Sequence, residues 1–141
     1  MKTRSTVSLS ILLCALLAGC VSNKPTHCVS ATPVKRVGMV VGIRPEQIAE
    51  YKRLHADANA GVRDLLTKYH MHNFSIYLQQ IEGKWYEFGY YEYTGKDFDA
   101  DMAELAKEPR NIEWLKLCDP MQLPLPGAKG WTEMERVYFN P

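Results

Sequence analysis

Two strand-like runs, His72–Ile81 and Lys84–Tyr93, are separated only by Glu82-Gly83. A two-residue connection containing glycine joins strands as a tight antiparallel hairpin. Any fold for this chain is therefore built around that ribbon. In the first run Phe74, Ile76 and Leu78 alternate with Asn73, Ser75 and Tyr77, the period of a strand with one buried face. The second run carries Trp85, Tyr86, Phe88, Tyr90, Tyr91 and Tyr93, aromatics on both faces. One face belongs to a core. The other lines a cavity or meets a partner, because a large exposed aromatic surface is a liability.

The flanking segments complete the pattern. Val37–Ile43 is β-branched and apolar and reads as a buried strand. Arg44-Pro45-Glu46 opens a helix, and Ile48, Tyr51, Leu54, Ala58, Val62, Leu65, Leu66 and Tyr69 predict its continuation for about six turns. Gly61 weakens that helix by ~1 kcal/mol against alanine and marks a close approach of another group. Asp97–Lys107 predicts a second helix interrupted at Pro109, and Asn111–Leu117 another short one. Asp119–Gly130, with three prolines and two glycines, is a loop, and Trp131–Phe139 closes the domain as a last strand. The order β-α-β-β-α-β predicts an α+β, ferredoxin-like split βαβ domain. Such a domain leaves one sheet face open, and pairing two open faces predicts a dimeric α+β barrel.

The domain occupies residues 35–141. Ahead of it, Lys2 and Arg4 precede the apolar run Val7–Leu17, which is shorter than the roughly 20 residues of a membrane span. Residues 1–19 therefore read as a secretory signal. Leu17-Ala18-Gly19-Cys20 closely resembles a bacterial lipobox, which implies cleavage before Cys20 and lipid on its thiol. Several acyl chains make a stable anchor. Residues 20–34 read as a lipidated tether, giving a membrane-anchored lipoprotein of the cell envelope, on the periplasmic or outer face. Cys14 leaves with the signal, and an export compartment permits Cys28 and Cys118 to pair or to stay free thiols.

Charge narrows the partners. The 17 basic and 16 acidic residues give +1. Without residues 1–19 the bases fall to 15, for a charge of −1. No broad basic face exists for nucleic acid.

His55 follows Tyr51 by four residues, so both project from one side of the first helix. On the inward stripe they form either an acid–base pair, since imidazole titrates near neutrality, or a structural histidine with its neighbour. His70-Met71-His72 supplies only two ligands where catalytic zinc needs three, so no metal is expected. The hairpin aromatics and Trp114 are flat surfaces on which a sugar ring can stack.

Taken in order, Tyr51-Lys-Arg-Leu-His55, His72-Asn-Phe-Ser-Ile-Tyr-Leu78, Asn111-Ile-Glu-Trp114 and Met134-Glu-Arg-Val-Tyr-Phe139 resemble the L-rhamnose mutarotase family over about Lys35–Pro141. The resemblance implies a ferredoxin-like barrel that dimerises, and anomer interconversion of a free monosaccharide without cofactor or metal. It also implies His55 as proton donor, Tyr51 holding sugar hydroxyls and Trp114 lining the pocket. Two positions depart from the family pattern: Phe74 replaces a pocket tyrosine and Leu115 the second of two tryptophans. Losing a hydroxyl partner alters sugar preference, which leaves rhamnose or a related deoxy sugar open. Two other functions fit the same plan: a non-catalytic sugar-binding accessory lipoprotein, and a cofactor-free oxygenase of the same barrel fold.

Overall fold

A computed structural model describes residues 33–140. The signal segment, Cys20, Cys28 and nearly all of the tether lie outside them. Five strands and four helices follow one another as β1 (Lys35–Ile43), α1 (Ile48–Leu54), α2 (Arg63–Lys68), β2 (Met71–Ile81), β3 (Lys84–Tyr93), α3 (Phe98–Leu105), α4 (Pro109–Cys118), β4 (Gln122–Leu123) and β5 (Thr132–Met134). The sheet is antiparallel, in the order β2-β3-β1-β4, with β5 also pairing β1. The predicted hairpin is present. Glu82 and Gly83 both take positive φ, 49° and 79°, as a two-residue turn matched to strand twist requires.

The hairpin also carries the register of the core. Val37, Val41 and Ile43 on β1 stand opposite Tyr91, Glu87 and Trp85 on β3. The helices cover this side. Val37, Met71, Tyr91 and Tyr93 pack with Val62, Leu65 and Leu105, while Ile43 packs with Tyr51, Leu54 and Cys118. Trp114 touches both clusters and ties α4 to the rest. The molecule is a mixed α+β domain with a curled antiparallel half-barrel sheet, consistent with the ferredoxin-like plan.

Three expectations are corrected. The long first helix is broken: α1 stops at Leu54 and α2 starts at Arg63, after a 3₁₀ turn at Pro45–Gln47. Gly61, two residues before α2, adopts φ 51°, a left-handed conformation that a helix cannot contain and that glycine adopts without strain. The close approach it marks is real, since a Cβ there would lie 3.1 Å from the Trp114 ring. Arg63 holds the break together. Its guanidinium donates to the backbone carbonyls of His55 (3.0 Å), Ala56 (3.2 Å), Asp57 (3.3 Å) and Asn59 (2.6 Å), which have lost their helical donors.

The last strand is also shorter than Trp131–Phe139. Thr132–Met134 pairs with Gly38–Val40, and residues 135–140 leave the ladder. Continuing the register would set Arg136 directly opposite Arg36, a like-charge pair that strands avoid. Arg36 instead pairs with Glu92 at 3.0 Å and lies 4.0 Å over the Phe139 ring. Gln122–Leu123, read from sequence as loop, takes the other part of the β1 edge at Gly42–Ile43.

Candidate active site

The break after α1 sets the site. His55 is the residue that caps α1, so its ring leaves the helix axis and lies over the preceding turn. It stacks on Tyr51, with ring centroids 4.0 Å apart and planes 25° apart. Trp114 meets it edge-on at 5.1 Å. His55 Nδ1 is 2.9 Å from the Tyr51 carbonyl oxygen. A carbonyl only accepts, so Nδ1 carries the proton and Nε2 is left as the nitrogen available to a ligand.

These three rings line a cavity of about 290 Å³. Phe74 and Ile76 of β2, Asn111 and Leu115 of α4, Gln122 and Trp131 contribute further wall. The volume is at the lower end of small-molecule sites, and an apolar wall with few polar groups is typical of them. Tyr51 and His55 also face a second recess of about 210 Å³ with Ile43, Ile48, Ile76, Leu78 and Glu87. The predicted residues Tyr51, His55 and Trp114 are thus brought together. Phe74 and Leu115, the two departures, both reach the same cavity.

Burial tunes the ionisable groups. It lowers the His55 pKa below its ordinary value, with help from the Arg63 guanidinium and against the pull of the Tyr51 carbonyl. The imidazole is therefore neutral near pH 7. Burial first, and then the neighbouring Glu87 charge, raise the Tyr51 phenol, which stays protonated. Burial also pushes the Glu87 carboxyl up to about 7, although Tyr51 and Gln122 pull it down. Cys118 is buried and has no disulfide partner among the described residues; burial, then Asp119 and Glu87, push its thiol up to about 12, which makes it a poor nucleophile. His70 and His72 lie elsewhere: His70 takes φ 63° after α2, its ring edge-on to Tyr93 at 6.3 Å, and His72 is on β2.

Sequence reasoning missed Glu87, Arg63 and Gln122. Glu87 had a signal, since it falls in phase with Tyr91 and Tyr93 on the inward side of β3. Arg63 had none, because its four carbonyl partners exist only once the helix is broken.

The structure is a small α+β half-barrel whose histidine, tyrosine and tryptophan converge on a mostly apolar cavity. A model of the L-rhamnose mutarotase family matches residues 36–139, and the chain belongs to that family. No curated protein matches the sequence.

Proposed function

We propose that the protein interconverts the α and β anomers of a free aldose, L-rhamnose or a related deoxy sugar, by proton transfer at His55. The observation that carries this reading is the stacked Tyr51–His55 pair with Trp114 edge-on in one cavity, inside the family match. Anomer exchange needs a proton on the ring oxygen and the loss of one from the anomeric hydroxyl. The hemiacetal then opens, turns about C1–C2 and closes again. A neutral imidazole with a free Nε2 is a competent proton acceptor and, once charged, a competent donor. The Tyr51 phenol, held protonated, donates a hydrogen bond to a sugar hydroxyl, and Trp114 offers a flat ring to a sugar C–H face.

Phe74 and Leu115 make this cavity less polar and less aromatic than the resemblance implies, which favours a sugar with a methyl or deoxy edge at that wall. Saturation-transfer NMR across L-rhamnose, fucose and other aldoses tests the reading. The wild type should raise exchange above buffer for at least one sugar. His55→Ala should lower it by about 100-fold or more while circular dichroism stays unchanged. Binding without exchange by the wild type would leave a sugar-binding protein in place of an enzyme.

In the cell the domain works from a lipid tether at Cys20 in the envelope. The lipobox-like residues support this placement. Cys20→Ser should move the protein from the membrane fraction to the soluble fraction, and continued membrane association would sink the anchor.

A further inference from the structure

Glu87 is completely buried, at 0% exposure, in the middle of β3. Oε2 of its carboxyl accepts from Gln122 Nε2 at 3.3 Å, and the Tyr51 phenol lies close enough to pull the carboxyl's pKa down, yet Oε1 has no well-formed hydrogen bond among the described residues. A buried carboxyl oxygen without a donor is costly, so its persistence points to a partner that comes and goes. Glu87 is nevertheless one of the residues that line a recess, the 210 Å³ one whose other polar walls are Tyr51, His55 and the Lys52 side chain, and whose remaining walls are Ile43, Ile48, Ile76 and Leu78. His55 and Glu87 thus border one recess, the first with a ring nitrogen that no carbonyl holds, the second with a carboxyl oxygen that no donor reaches.

We infer that Glu87 is the second proton-transfer group of this site, its free carboxyl oxygen meeting the sugar in the recess it shares with His55. The assignment rests on the mutarotase reading and supplies what that reading lacks, a partner for the histidine. His55 Nε2 takes the proton of the anomeric hydroxyl O1 while the Glu87 carboxyl gives its proton to the ring oxygen O5. The C1–O5 bond breaks with its electron pair on O5, and C1–O1 becomes the aldehyde double bond. The site then holds an imidazolium and a carboxylate. After rotation about C1–C2, O5 attacks C1 and returns its proton to Glu87, and the imidazolium returns one to O1. No proton, electron or group is consumed.

The surroundings suit these roles. Tyr51, His55 and Lys52 approach Glu87 from α1, and Cys118 from α4, with Asp119 just beyond it. β1 and β2 bring only the apolar Ile43, Ile76 and Leu78 to the recess. In this setting burial keeps the carboxyl protonated toward neutrality and the histidine neutral, an acid and a base poised for the same pH. Exchange should fall at low pH as His55 gains a proton, and at high pH as Glu87 loses one.

The test compares wild type with Glu87→Gln by saturation-transfer NMR on L-rhamnose from about pH 5 to about pH 9. We expect Glu87→Gln to lower kcat by about 100-fold or more, to leave KM within about threefold, and to erase the alkaline limb of the wild-type profile. A variant within about threefold of an active wild type, with the same profile, overturns the role of Glu87 and leaves the mutarotase reading standing. A wild type that accelerates no sugar overturns both. If Glu87→Gln does not fold, isotope-edited infrared of the wild-type carboxyl decides. A band titrating near neutrality and shifted by rhamnose supports the role. A band titrating in the ordinary carboxylate range and indifferent to sugar overturns it.

Discussion

Glu87 and His55 respond to the same burial in opposite directions, because desolvation disfavours the charged form of each. The carboxyl is held neutral to higher pH and the imidazole to lower. Linkage turns this into a stability effect. The folded pKa of Glu87, about 7, lies above its ordinary 4.5, so the stability it contributes is fully present below pH 4.5 and is lost as pH rises through about 7. Chemical denaturation of wild type and Glu87→Gln across that window should show the wild type losing up to roughly 3 kcal/mol relative to the variant. A flat difference would mean the carboxyl ionises freely in the folded protein. The Tyr51–His55 pair was legible in the sequence because a spacing of four is a geometric statement about one helix. Glu87 was passed over because an acid in a strand reads as a solvent-facing residue. Its phase with Tyr91 and Tyr93 was the available hint, and the register with Val41 shows it facing the covered side.

At the level of elements, local chemistry was informative wherever it was decisive. Glu82-Gly83 fixed the hairpin, and Asp97 caps α3 by accepting from the Ala100 amide at 3.1 Å. Pro109, read as an interruption, is also the residue that opens α4. Periodicity misled between His55 and Arg63. Apolar residues at Ala58 and Val62 kept the helical phase, but the packing of Trp114 against Gly61 rewarded a break. The final strand failed for a similar reason. Its alternation is real, yet the edge it would pair with presents Arg36 to Arg136, a conflict invisible until the register is known.

For the molecule as a whole, the covered face of the sheet is only half of the matter. Tyr77, Phe88 and Val40 stand side by side across β2, β3 and β1, on the face opposite the core, and Tyr77 is 64% exposed. Tyr86, Tyr90 and Met134 extend this surface. We propose that a second copy of the chain covers it, as the aromatic surplus of the hairpin leads one to expect. Sedimentation velocity should show a dimer for the wild type and a monomer of unchanged secondary structure for Tyr77→Glu. A wild type that stays monomeric at every concentration would defeat the pairing.

The Arg63 guanidinium, which gathers four carbonyls between His55 and Asn59, has a consequence for how such a protein can diversify. The Tyr51–His55 pair and its latch come from a single stretch of chain, Tyr51 to Arg63, with Glu87 reaching the same recess from β3. Phe74 and Leu115 line the same cavity from other elements, β2 and α4. On the proposed reading, substitutions at Phe74 and Leu115 reshape which sugar is admitted while the segment that carries the imidazole stays unchanged. On the mutarotase reading, sugar choice and proton transfer fall on different elements, so a chain with this layout could change its substrate and keep its reaction.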